Sequence, residues 1–145
     1  DPETRKNSVS YRNNMERLAK ALFLEEKFEK AEEIIDISLE KMPVNKFGHY
    51  SMVIPYIDLY YGLNKKEKAR KLTLDLKIVI QEKLTYYSQF ENQDFEAVFD
   101  QVERNLLMYD QLIKTAIQYD DESYATLLKD EYISYLRLFV PDEEE

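Results

Sequence analysis

The sequence predicts an all-α fold of stacked antiparallel helical hairpins, with about six helices. Three observations predict it. Apolar residues recur three and four positions apart along most of the chain, which is the period of one helix face. Two segments, Glu25–Leu39 and Leu63–Leu76, read alike; each follows a helix-length amphipathic stretch and carries Glu-Lys-Ala, at Glu29–Ala31 and Glu67–Ala69. Helix-stopping residues fall between such stretches, with Pro43 after the first pair and Gly62 inside the second.

Each element has its own justification. A polar, flexible lead occupies residues 1–8, and Ser8 or Ser10 is placed to cap a first helix carrying Tyr11, Met15, Leu18, Leu22 and Phe23 on one face. A second helix, Phe28 to Lys41, turns Ala31, Ile34, Ile35, Ser38, Leu39 and Met42 inward and stops at Pro43. Val44 to Gly48 reads as a loop. A third helix, Tyr50 to Tyr61, presents Val53, Ile57 and Tyr60, and Pro55 bends or delays its first turn. Gly62 offers a left-handed closing residue, and Asn64 with Glu67 resembles a capping box. The fourth helix, Lys65 to Tyr87, buries Ala69, Leu72, Leu76, Ile80 and Leu84. A fifth starts at Asn92 or Asp94 and runs through Phe95, Phe99, Val102, Leu106, Tyr109, Leu112, Ile113 and Ile117. A sixth starts at Asp120 or Asp121 and ends near Phe139. The expected organisation is one helical-repeat domain over residues 9–140 and an acidic frayed tail over 141–145.

The repeat fits a tetratricopeptide-like register. With Pro43 as the closing proline, Ala31, Ile35 and Ser38 take the small, large and small positions of the second helix, and Leu18, Ala19 and Leu22 the contact positions of the first. The second unit aligns through Ala69, offset by 38 residues from Ala31 where the pattern has about 34. In the third pair Ala125 is the comparable small residue.

Composition bounds the function. At 145 residues the chain suits one domain able to bury its own core. It has no cysteine, so disulfides and thiolate metal sites are excluded. A formal charge of −9 repels phosphate backbones, so nucleic acid is not an expected partner. The longest uncharged run, Phe47 to Ile57, is 11 residues and too short to span a bilayer. The chain opens Asp1-Pro2-Glu3, which reads as a section of something longer.

Chemical groups lack company. His49 is the only histidine, so neither a metal site nor a nucleophile triad is expected, nor any cofactor. The paired acids Glu25-Glu26, Glu32-Glu33, Asp120-Asp121 and Glu143–Glu145 point apart on helices and alternate with Lys27, Lys30 and Lys41 as a solvated face does, where a glycosidase needs two carboxylates in one cleft. Two glycines, Gly48 and Gly62, cannot build a phosphate loop. Tyrosine is abundant, at 12 residues, and suits both helix packing and recognition of peptides or sugars. Adjacent Tyr60 and Tyr61 cannot both face the core, so Tyr61 is expected to project. In the tetratricopeptide register the first helices line a shared face, which would carry Asn13, Glu16, Arg17 and Lys20 together with Ser51, Ile54, Asp58 and Tyr61. Glu16 and Asp58 interrupt the basic pair, so a carboxylate clamp is only half present.

The words Tyr11-Arg12-Asn13-Asn14-Met15-Glu16-Arg17-Leu18-Ala19, the Glu-Lys-Ala helix ending Met42-Pro43, and Pro55-Tyr56-Ile57-Asp58-Leu59-Tyr60-Tyr61 resemble the C-terminal soluble region of a bacterial family of multi-spanning membrane proteins. The membrane half of that family is similar to protein O-mannosyltransferases. The resemblance covers Val9 to Leu76 in recognisable words and continues more loosely to Phe139. It implies a membrane-anchored, glycosyltransferase-like parent, with this region on the periplasmic side and the catalytic acids elsewhere. The expected function is therefore non-catalytic: binding or positioning a protein or glycan partner, with a structural spacer or dimerisation domain as the alternative.

Overall fold

The computed structural model describes residues 2–48 and 50–140, and these are helical with no strand among them. Among the described residues seven α-helices follow in order: α1 (Pro2–Leu24), α2 (Phe28–Lys41), the single turn α3 (Val44–Phe47), α4 (Ile54–Gly62), α5 (Lys66–Tyr87), α6 (Asn92–Gln118) and α7 (Glu122–Leu136). A 3-10 turn at Tyr50–Met52 leads into α4. Six of the seven are the expected helices, and α2 has the limits its periodicity and Pro43 dictate. Among the described residues, no helix is long and apolar enough to cross a membrane.

The chain packs as two compact units divided between Leu76 and Lys77, within α5. The first unit holds α1 to α4 and the start of α5. Its core is Ala19, Ala31, Ile35, Val53, Tyr56, Ile57, Ala69, Leu72 and Leu76, all at most 4% exposed. The second holds the rest of α5 with α6 and α7 around Ile80, Leu84, Val102, Tyr109, Leu112 and Leu128.

One turn geometry recurs three times. After α1, α4 and α6, a residue in the left-handed region closes the helix: Glu26 at φ 60°, Asn64 at 61° and Asp120 at 58°. In each case the next amide reaches back to the carbonyl five residues earlier: Lys27 to Leu22, Lys65 to Tyr60 and Asp121 to Ala116, all at 2.8–2.9 Å. The left-handed residue bonds three back, to Phe23, Tyr61 and Ile117. This pairing satisfies the helix-terminal carbonyls and reverses the chain within three residues. Five positions after each left-handed residue stands Ala31, Ala69 or Ala125, with 0%, 0% and 5% exposure. Each of these alanines donates its amide to the residue that opened its helix turn, Lys27, Lys65 or Asp121. The small residue read from sequence in all three hairpins therefore sits at one structural position. A side chain larger than a methyl there would hold the paired helices apart.

Several expectations change. The lead does not stay non-helical up to Ser8: α1 begins at Pro2, where proline suits a first helical position, and Ser8 Oγ donates 2.8 Å to the Thr4 carbonyl rather than capping. Asn64, not Gly62, takes the left-handed conformation, because Gly62 is still helical. Leu18 is 44% exposed, and Arg12 with Ala19 occupies the inward stripe of α1. On α6, Phe99 and Ile117 face outward while Asn105, Thr115 and Ala116 are buried. The Val44 to Gly48 loop contains the turn α3, whose Val44 is buried. Pro55 delays its helix as anticipated, lying in the first turn of α4 where its missing amide costs nothing. His49 and the acidic tail 141–145 lie outside the described residues.

Candidate functional site

The site expected from sequence lies in the first unit. Asn13, Arg17 and Lys20 are exposed along α1, and Glu16 is half-buried. Ser51 is exposed in the 3-10 turn, and Ile54 and Asp58 are half-buried on α4. Tyr61 is the correction: it is 8% exposed and does not project. Tyr56, Ile57, Leu59 and Tyr60 are buried with it, so α4 is apolar on nearly every side, as a helix enclosed by its neighbours must be. The one-in, one-out rule for adjacent residues holds only where a helix has a free face.

Beneath this surface lies a polar network that sequence reasoning missed. Arg12 is 1% exposed, and its Nη2 donates to the Met42 carbonyl at the C-terminal end of α2, where the helix dipole is negative. Among the described residues, its Nε and Nη1 have no hydrogen-bond partner. Burial holds the guanidinium below its ordinary pKa, partly offset by Tyr56. The Tyr56 hydroxyl lies 2.8 Å from Ser38 Oγ and 3.3 Å from the Arg12 carbonyl, so one phenol joins α1, α2 and α4. The signal available in sequence was Ser38 at an otherwise apolar register position. A buried hydroxyl requires a partner, but not a particular one.

A second cluster ties α2 to α4 and α5. Tyr60 donates a 2.5 Å hydrogen bond to Asp36 Oδ1, and Lys68 Nζ sits 2.7 Å from Asp36 Oδ2 and 3.1 Å from Glu32. Burial, then the bond to Asp36, pushes the Tyr60 hydroxyl far above the usual tyrosine range. Lys68, nearly half exposed, is raised by the same carboxylate. These groups are engaged with one another and hold helices together.

In the second unit Glu131 accepts from both Lys77 Nζ and Gln81 Nε2, each at 3.0 Å, and Gln81 also donates 2.9 Å to the Tyr109 hydroxyl. Tyr132 and Tyr135 pack on Tyr109 with ring centroids 5.2 and 6.2 Å away. Burial raises the Tyr109 hydroxyl well above its ordinary range. Through Lys77, Gln81, Tyr109 and Glu131 this network ties α5 to α6 and α7. Above this network a hollow of about 420 Å³ is lined by Ile78, Gln81, Glu82, Thr85 and Tyr135. A larger one, about 500 Å³, lies at the α5–α6 turn between Phe90, Glu91, Asp94, Ala97 and Val98.

Of the paired acids, Asp120 is exposed while Asp121 is 2% exposed, so these neighbours do point apart. Among the described residues, no group of three or more histidine, cysteine or acidic side chains is arranged to hold a metal ion. Compared with known proteins, the chain matches no protein-family model, no curated protein and no solved structure.

Proposed function

We propose that this chain is a non-catalytic helical-hairpin module that binds or positions a protein or glycan partner for a membrane-anchored, glycosyltransferase-like parent. The observation that carries the reading is the packing of α1 on α4, the opening helices of two successive hairpins, through the Tyr56 hydroxyl and the Arg12 carbonyl. Helices that touch along their inner stripes present their outer residues side by side. In this reading Asn13, Arg17 and Lys20 share with Ser51 and Asp58 a polar, mixed-charge surface suited to a partner of balanced charge. The assignment to a periplasmic, membrane-bound parent rests on the family words in residues 9–76.

The test uses peptide and glycan arrays probed with the chain and with an Asn13→Ala, Arg17→Ala, Lys20→Ala variant. All three residues are exposed, so melting temperature should hold within about 2 °C, as for most surface changes. Binding should fall about tenfold or more. A ligand captured equally by both forms would show that this face is not the recognition surface. Sequencing upstream of Asp1 tests the parent: a run of apolar spans supports it, and a non-membrane neighbour removes it.

A further inference from the structure

The hollow at the α5–α6 turn has the makings of a second recognition site, separate from the α1–α4 face. Its apolar wall is Phe90 with Ala97 and Val98, and its polar rim is Glu91 and Asp94. Phe90 is held by two further rings: Tyr86 edge-on at 5.0 Å and Tyr87 at 6.4 Å. Tyr86 is itself 57% exposed, so the cluster shows ring surface to solvent. This chain reversal differs from the three hairpin turns. Its left-handed residue, Asn92 at φ 53°, opens α6 instead of closing α5, which sets the first turn of α6 beside the last aromatics of α5.

Both carboxylates are exposed, and Asp94 lies in the first turn of α6. Glu91 occupies the cap position of α6 in an extended conformation, yet no side-chain bond caps the helix. Among the described residues, neither Glu91 nor Asp94 takes part in an ion pair. Exposed ring surface next to unpaired carboxylates attracts a cation with a flat, weakly hydrated head, because it stacks on the ring while its N–H groups reach the acids. A guanidinium meets those demands better than a compact ammonium, and the net charge of −9 favours the encounter.

We propose that this hollow receives an arginine side chain from a basic peptide segment of a partner protein. Phe90 would meet the guanidinium plane, Tyr86 would back Phe90 edge-on, and Glu91 and Asp94 would meet the guanidinium edges. The experiment is an NMR titration of the isotope-labelled chain with a tetra-arginine peptide at physiological ionic strength. Shifts should concentrate at Tyr86 and at residues 89–98. The Glu91→Gln, Asp94→Asn variant should bind about tenfold more weakly, and Tyr86→Leu, with the carboxylates intact, about two- to fivefold more weakly. These side chains are largely exposed, so circular dichroism should show each variant folded. Tetra-lysine, equal in charge but lacking a planar head, should bind several-fold more weakly. Shifts spread over every acidic helix face, undiminished binding in either variant, or equal binding of tetra-lysine would each overturn the assignment.

Discussion

The buried Arg12 guanidinium donates to the main-chain oxygen of Met42, the residue that closes α2, and leaves its other nitrogens without partners among the described residues. The contact satisfies a helix-terminal carbonyl, but the cost of desolvating a charge that forms no ion pair among the described residues opposes that gain. Arg12→Met keeps the volume, removes the charge and abandons the Met42 oxygen, so the two effects nearly cancel: stability should stay within about 1 kcal/mol of the parent. Arg12→Ala keeps the loss and adds a cavity, at about 2–4 kcal/mol. Urea denaturation compares them, and equal losses in both would mean that the guanidinium contributes net stability.

The three hairpin alanines should tolerate nothing larger. Ala31→Leu and Ala69→Leu place three extra carbons where exposure is 0%, and each should destabilise by about 1–3 kcal/mol, with Ala125→Leu alike. Melting curves that moved by less than the parent's own scatter would mean that the helices do not approach through these positions.

The left-handed turn residues offer gains. A non-glycine residue there costs roughly 1–2 kcal/mol, less for asparagine and aspartate than for glutamate. Glu26→Gly should therefore stabilise by about 0.5–1 kcal/mol, and Asn64→Gly and Asp120→Gly by less. Differential scanning calorimetry would rank them, and a destabilising Glu26→Gly would contradict the positive φ.

Alkaline pH should loosen both units. Tyr56, Tyr60 and Tyr109 each titrate above the model-compound value of 10.0, with burial as the first cause. In the unfolded chain they ionise near that value, while the folded chain keeps its protons. Their contribution is complete below about pH 10 and is lost as pH rises through the interval between the unfolded and folded values. Urea midpoints should fall from about pH 10 upward, and Tyr60→Phe should flatten the decline. A midpoint rising across that range would reverse the assigned sign.

The sequence by itself determined what depends on neighbours along the chain. Six helices, the limits of α2, the delayed start of α4 at Pro55, the inward stripe of α5 and the hairpin alanines all follow from local hydrogen bonding and a 3.6-residue period. The tertiary structure decided which azimuth of each helix met another. That is why Arg12 went in and Leu18 out, why Tyr61 was enclosed along with Tyr60, and why the candidate face lost its only aromatic. It also drew Ser38, Tyr56 and Arg12 into one network across 44 residues, and set Phe90 with Asp94, Ala97 and Val98 around one hollow. Burial is a property of the partner surface as much as of the side chain. A periodic pattern fixes the face a helix offers, and packing settles what that face encloses.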